Sequence, residues 1–132
     1  FYGVLVPLAL RATGELTGGM VAASLAAAVS LISPWPVLAA ALVSPWLVLS
    51  SHQALSAAFR RHPFIAMRWI FAITAGAWLV AHHMQFQPLQ FSPVIVLLTA
   101  VHFNFAGFGV SSVLIALERR CTAGGRALRA IS

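Results

Sequence analysis

The chain has 132 residues, 61% of them apolar and only 8% charged, and its mean hydropathy is +0.93. Soluble domains run at about 45–50% apolar and about 25% charged, so this chain lacks the polar groups to coat a soluble fold of its size. Its net charge of +6 comes from eight arginines, no lysine and the two acids Glu15 and Glu118. A soluble enzyme, a nucleic-acid-binding domain and a disordered chain are excluded, and an integral membrane protein remains.

Five apolar stretches follow one another. The first, Phe1–Leu10, ends at Arg11 and the turn-like Thr13-Gly14-Glu15. It covers only about 15 Å as a helix, half a bilayer's hydrocarbon thickness, and reads as the remainder of a longer first helix. The second, Leu16–Ser33, is closed by Pro34-Trp35-Pro36, and the third is Val37–Ser51, beginning at about residue 36. Both are short against the roughly 20 residues of a span and together suggest a helical hairpin at the Pro-Trp-Pro turn. Within the second, Gly18, Ala22, Ala26 and Ser30 recur every four residues, with Gly19, Ala23 and Ala27 in a row beside them. Such small-residue rows let helix backbones approach closely in lipid.

Between the third and fourth stretches, residues 52–62 run His-Gln-Ala-Leu-Ser-Ala-Ala-Phe-Arg-Arg-His. Leu55, Ala58 and Phe59 share a helical face, which suits either a short interfacial helix with Arg60 and Arg61 at the headgroups or the frayed end of the third helix. The fourth stretch, Phe64–His83, starts just after Pro63. Arg68 lies one turn inside it, and the expectation is an interfacial anchor whose long stem snorkels to the headgroups. His82 and His83 close this stretch; neighbours diverge by about 100° on a helix, so they do not readily share one metal.

The fifth stretch, Ser92–Leu117, has Pro93 in its first turn, and a basic tail, 118–132, follows with Arg119 and Arg120. At helical spacing Ala100, Asn104, Gly107 and Ser111 share one face, and His102, Ala106, Gly109 and Val113 the opposite one. Both faces are small or polar, so this helix is expected to sit between neighbours. His102 lies about 15 Å from the outer end, near the midplane. An ionisable residue there is a functional candidate, as a ligand for a cofactor or as an acid/base, set against plain interhelical hydrogen bonding. Asn104 reads as an interhelical hydrogen-bonding residue. No Asp or Glu lies inside any stretch, which argues against carboxylate-based proton relays and sodium coupling. Cys121 is single and forms no metal spacing; a metal or bis-His haem site pairing His102 with His82 or His83 is the weaker alternative, since they differ by about 13 Å in depth, and the sequence names no cofactor.

With alternating crossings, Arg11, Arg60-Arg61 and Arg119, Arg120, Arg126 and Arg129 fall on one side, while the Pro-Trp-Pro turn and residues 84–91 carry no arginine. The positive-inside rule makes the arginine side cytoplasmic in a bacterial-type inner membrane.

The run Phe91–Phe108, Phe-Ser-Pro-Val-Ile-Val-Leu-Leu-Thr-Ala-Val-His-Phe-Asn-Phe-Ala-Gly-Phe, resembles the signature stretch of the YndJ-like family of bacterial membrane proteins. That stretch ends His-Phe-His-Tyr-Ala-Gly-Phe; His102, Phe103, Ala106, Gly107 and Phe108 match, whereas Asn104 and Phe105 replace its second His and its Tyr. The resemblance implies a multi-pass membrane protein and a partial or reduced copy of a longer one, lacking one half of the family's histidine pair.

The expected fold is therefore all-α: a single transmembrane helix bundle over 1–132, with about four full spans and a partial N-terminal helix. The expected role is that of a non-catalytic subunit, with the lipid bilayer and other membrane proteins or a second copy as partners and no nucleic acid. The alternatives are a membrane enzyme or binder of a lipophilic molecule or pigment using His102, and a fragment of a transporter.

Overall fold

The computed structural model describes residues 2–14 and 17–129, with the side chains of 123–129 excepted. Expectations that touch Phe1, Glu15, Leu16, residues 130–132 and the side chains of Arg126 and Arg129 lie outside these described residues. Every described element is helical: α1 (Leu5–Ala12), α2 (Gly18–Ser30), α3 (Pro36–Phe59), α4 (Pro63–His83), α5 (Pro93–His102) and α6 (Val110–Arg129). A 3₁₀ turn covers Pro88–Gln90, and a π-helical segment, Phe103–Gly109, joins α5 to α6 without a break in the helix.

Local chemistry sets the boundaries. Thr17 caps α2, its side chain accepting from Met20 N at 3.3 Å, a contact worth about 1 kcal/mol. Proline opens α3, α4 and α5 at the first turn, where its missing N–H costs no hydrogen bond. Gly14, at φ +69°, turns the chain from α1 toward α2. Gln85, Leu89 and Gln90 adopt left-handed backbone between α4 and α5.

Three helices are long and apolar enough to cross a membrane: Pro36–Phe59, Pro63–His83 and the continuous helix Pro93–Thr122. The expectation of about four full spans differs at α2, whose 13 residues cover about 20 Å. Its helix yields to a turn at Leu31–Ile32, three residues before the Pro-Trp-Pro segment.

The third helix does not end at Ser51. Its buried residues Ala39, Val43, Trp46, Ser50, Ala54 and Ala57 recur every three or four positions, so residues 52–59 carry the same packing face onward and the helix persists. Residues 52–59 are thus part of α3 and not a separate interfacial helix, and Leu55 and Phe59 point outward. The helix expected to end at Leu117 likewise continues to Arg129, carrying the first part of the basic tail as helix.

The bundle has two ends. At one, the Ser30 hydroxyl meets His83 Nε2 at 3.1 Å, and His82 Nδ1 lies 3.3 Å from Pro93 O, which brings together the tips of α2, α4 and α5. At the other, Arg119 donates to Thr13 O, and the α3–α4 junction lies beside α6. The surface between the ends is apolar: Leu25, Val48, Ile70, Leu98 and Leu114 are all exposed. Large exposed apolar residues over this height suit hydrocarbon, not water.

Candidate functional site

The core of the bundle is small residues around one aromatic knot. Ala23 and Ala27 of α2, Ala39 and Val43 of α3, and Ala72, Ala75 and Gly76 of α4 are buried. A Cβ on Gly76 would come within 2.7 Å of Leu47 Cδ2. Within this close packing Trp46 (α3), Trp69 (α4), Phe108 (π segment) and Tyr2 meet. Ring centroids are 5.5 Å apart for Tyr2–Trp46, 5.9 Å for Trp46–Phe108, 6.2 Å for Trp46–Trp69 and 5.3 Å for Trp69–Phe108. The Tyr2–Trp46 and Trp46–Phe108 pairs pack edge to face, an arrangement that ring quadrupoles favour.

Arg68 lies inside this knot and not at the headgroups. It is fully buried, its Cζ 4.8 Å from the Trp69 ring centroid and 5.5 Å from that of Phe108. The reason is the helix face it occupies. Arg68 shares the side of α4 that carries Ala72, Ala75 and Leu79, all buried, so a side chain there points into the bundle before it can reach an interface. Its position is about 7.5 Å past Pro63 along the helix. A guanidinium is weakly hydrated and stacks on aromatic faces, which makes Arg, not Lys, suited to this place.

Polar groups gather on the neighbouring turns. Asn104 Nδ2 donates to Tyr2 Oη at 2.9 Å and to Ala100 O at 3.0 Å, tying the π segment to the stretch before α1. Trp46 Nε1, Trp69 Nε1, Ser50 Oγ and Asn104 Oδ1 are buried with no hydrogen-bond partner among the described residues. The centre thus places a cation, two indole donors, a hydroxyl and an amide in one apolar surrounding. Electrostatic forces are strong in such a medium.

The π segment decides which residues of this helix face inward. Ala100, Asn104, Gly107 and Phe108 are buried, and beyond the segment Ser112 is buried while Ser111 is half-exposed. A wider i→i+5 turn shifts the inward face by one position, which a constant helical spacing does not foresee. A Cβ on Gly107 would come within 2.5 Å of Phe71 Cβ, so α4 and the π segment touch backbone to side chain there.

His102 is on the opposite side. It is exposed, as are Ala106 and Val113, with Gly109 half-exposed, and its ring centroid lies 5.8 Å from that of Phe103. The helix is therefore packed on one face and open on the other, where burial on both was expected. In α2 the inward row is Ala23, Ala27 and Ser30; Gly18 and Ala22 are exposed and Ala26 is half-buried. Arg60, Arg61, Arg119 and Arg120 are exposed at one end of the bundle. Among the described residues no three His, Cys, Asp or Glu side chains are grouped to hold a metal ion.

Sequence reasoning missed the buried centre. The signal was there: Arg68 stands four and seven residues before Ala72 and Ala75 on the small-residue side of α4. Tyr2 carries no such signal, because its partner Asn104 lies 102 residues away.

The model of the YndJ-like protein family matches residues 2–132, and the chain belongs to that family. No curated protein and no solved structure matches the chain.

Proposed function

We propose that this YndJ-like chain is a multi-pass subunit of a bacterial inner membrane that packs sideways against other membrane proteins through the open face of α5 and α6. The observation that carries this reading is His102. It is exposed on a helix that otherwise turns apolar residues outward, nine residues past Pro93 and so about 14 Å into the span. Hydrocarbon offers an imidazole neither donor nor acceptor, whereas a neighbouring helix does. Ala106 and Gly109, one and two turns on, leave room for a helix backbone to approach. The arginine end is cytoplasmic by the positive-inside rule.

Mild-detergent extraction tests the reading. The wild-type chain is expected to leave the membrane with a fixed set of membrane partners or as an oligomer, and His102→Leu to release them while the fold persists. Recovery of wild type and variant as the same lone chain would contradict it.

A further inference from the structure

Between α4 and α6 the bundle is open. The two helices touch little, and two hollows of about 350 and 360 Å³ lie end to end between them, sharing Phe64, Ile115 and Glu118. The hollow at the arginine end has a polar mouth formed by His62, Glu118, Arg119 and Thr122. The inner one is lined by Met67, Ser111 and Leu114 besides the shared residues, and is mostly apolar.

The groove's length and polarity identify its occupant. From Thr122 to Ser111 it follows eleven residues of helix, about 16 Å, against a leaflet half-thickness of about 15 Å. A transmembrane helix would need a groove over the full thickness. An acyl chain needs one leaflet, polar at the interface and apolar below. The mouth also pairs opposite charges: Glu118 and Arg119 are adjacent on α6, and Arg60 and Arg61 lie on the same end of the bundle. A headgroup carrying both a phosphate and a primary ammonium complements both signs.

We propose that the α4–α6 groove is a binding site for one phospholipid with an ethanolamine-type headgroup. One acyl chain runs along Phe64, Met67, Ser111 and Leu114. The phosphate faces His62 and Arg119, whose guanidinium also donates to Thr13 O, and the ammonium donates to the Glu118 carboxylate. The site depends on the chain lying in a bilayer, and is independent of the lateral interface at His102, which is on a different face of the same helix.

The test is native mass spectrometry of the purified chain with equal amounts of phosphatidylethanolamine, phosphatidylcholine and phosphatidylglycerol of matched acyl chains. One ethanolamine lipid is expected to be retained over the choline lipid by about fivefold, the worth of one net hydrogen bond. A quaternary ammonium has no N–H to give Glu118. Glu118→Gln should lower that ratio, because its uncharged amide oxygen is the weaker acceptor, with the melting temperature unchanged. Ser111→Trp should fill the inner hollow and abolish retention of all three lipids; if it does not fold, the Glu118→Gln ratio decides alone. Equal retention of ethanolamine and choline lipids, preference for the glycerol lipid, an unchanged ratio in Glu118→Gln, or a dimer that Ser111→Trp dissociates would each overturn the proposal.

Discussion

A single side chain, Arg68, shows how far helix position overrides side-chain character. Isolated charges at the centre of a span cost about 3 kcal/mol on insertion scales, and a long stem near a helix end ordinarily escapes to the interface. Arg68 does not, because its face of α4 points at Trp46, Trp69 and Phe108. Arg68→Lys keeps the charge but loses the planar stack on two rings. It is expected to lower stability by about 1–2 kcal/mol, read as a lower melting temperature in detergent. An unchanged melting temperature would show that the stack contributes nothing. Asn104→Leu removes the donor to Tyr2 Oη, an interhelical bond worth about 0.6 kcal/mol in a membrane. Its effect is expected to be smaller than that of Arg68→Lys and to be reduced in a Tyr2→Phe background, where only the bond to Ala100 O is left to lose, a coupling that a double-mutant cycle measures. His102→Gln separates two roles for the exposed imidazole. An amide keeps hydrogen bonding but neither titrates nor binds metal well. The lateral-packing account predicts unchanged partner recovery and no lost chromophore or metal.

At the scale of elements, the helix from Pro93 onward carries most of the information. Its π segment rotates the inward face so that Ser112, not Ser111, is buried, and holds Gly107 against Phe71. Gly107→Leu is expected to cost about 1–3 kcal/mol by forcing α4 away from the segment, seen as lower yield and melting temperature. Leu98→Ile, on an exposed position of α5, should leave both unchanged. Equal stability of the two variants would contradict the close contact. The helical nature, the proline starts at Pro36, Pro63 and Pro93, and the Gly107 approach were legible in the sequence, because proline geometry and small-residue spacing are local signals. The continuation of α3 to Phe59 was legible only in part: Ala54 and Ala57 extend the Trp46–Ser50 face, yet the apolar run had already given way to His52 and Gln53. The π segment left no local mark. A constant angle per residue assigned Ser111 to the inner stripe and His102 to a second packed face. Nor could the meeting of Tyr2, Trp46 and Asn104 be read in advance, since it depends on how separate helices assemble.

For the whole molecule, the family match and three helices of spanning length make this a membrane protein. Its ends differ sharply: Arg60, Arg61, Arg119 and Arg120 lie at one, and the loop between α4 and α5, residues 84–92, carries no charged residue at the other. The proposed orientation, arginine end cytoplasmic, predicts that a cysteine at Gln87 reacts with a membrane-impermeant maleimide added outside intact cells. Reaction only after the membrane is ruptured would reverse the orientation. The lateral face is the central claim, and in-membrane photocrosslinking tests it most directly. A benzophenone amino acid at Ala106, beside His102, is compared with the same probe at Val37, exposed on α3. The account predicts a discrete protein adduct from Ala106, lost in His102→Leu, and only lipid adducts from Val37. Lipid adducts alone from both positions would contradict it.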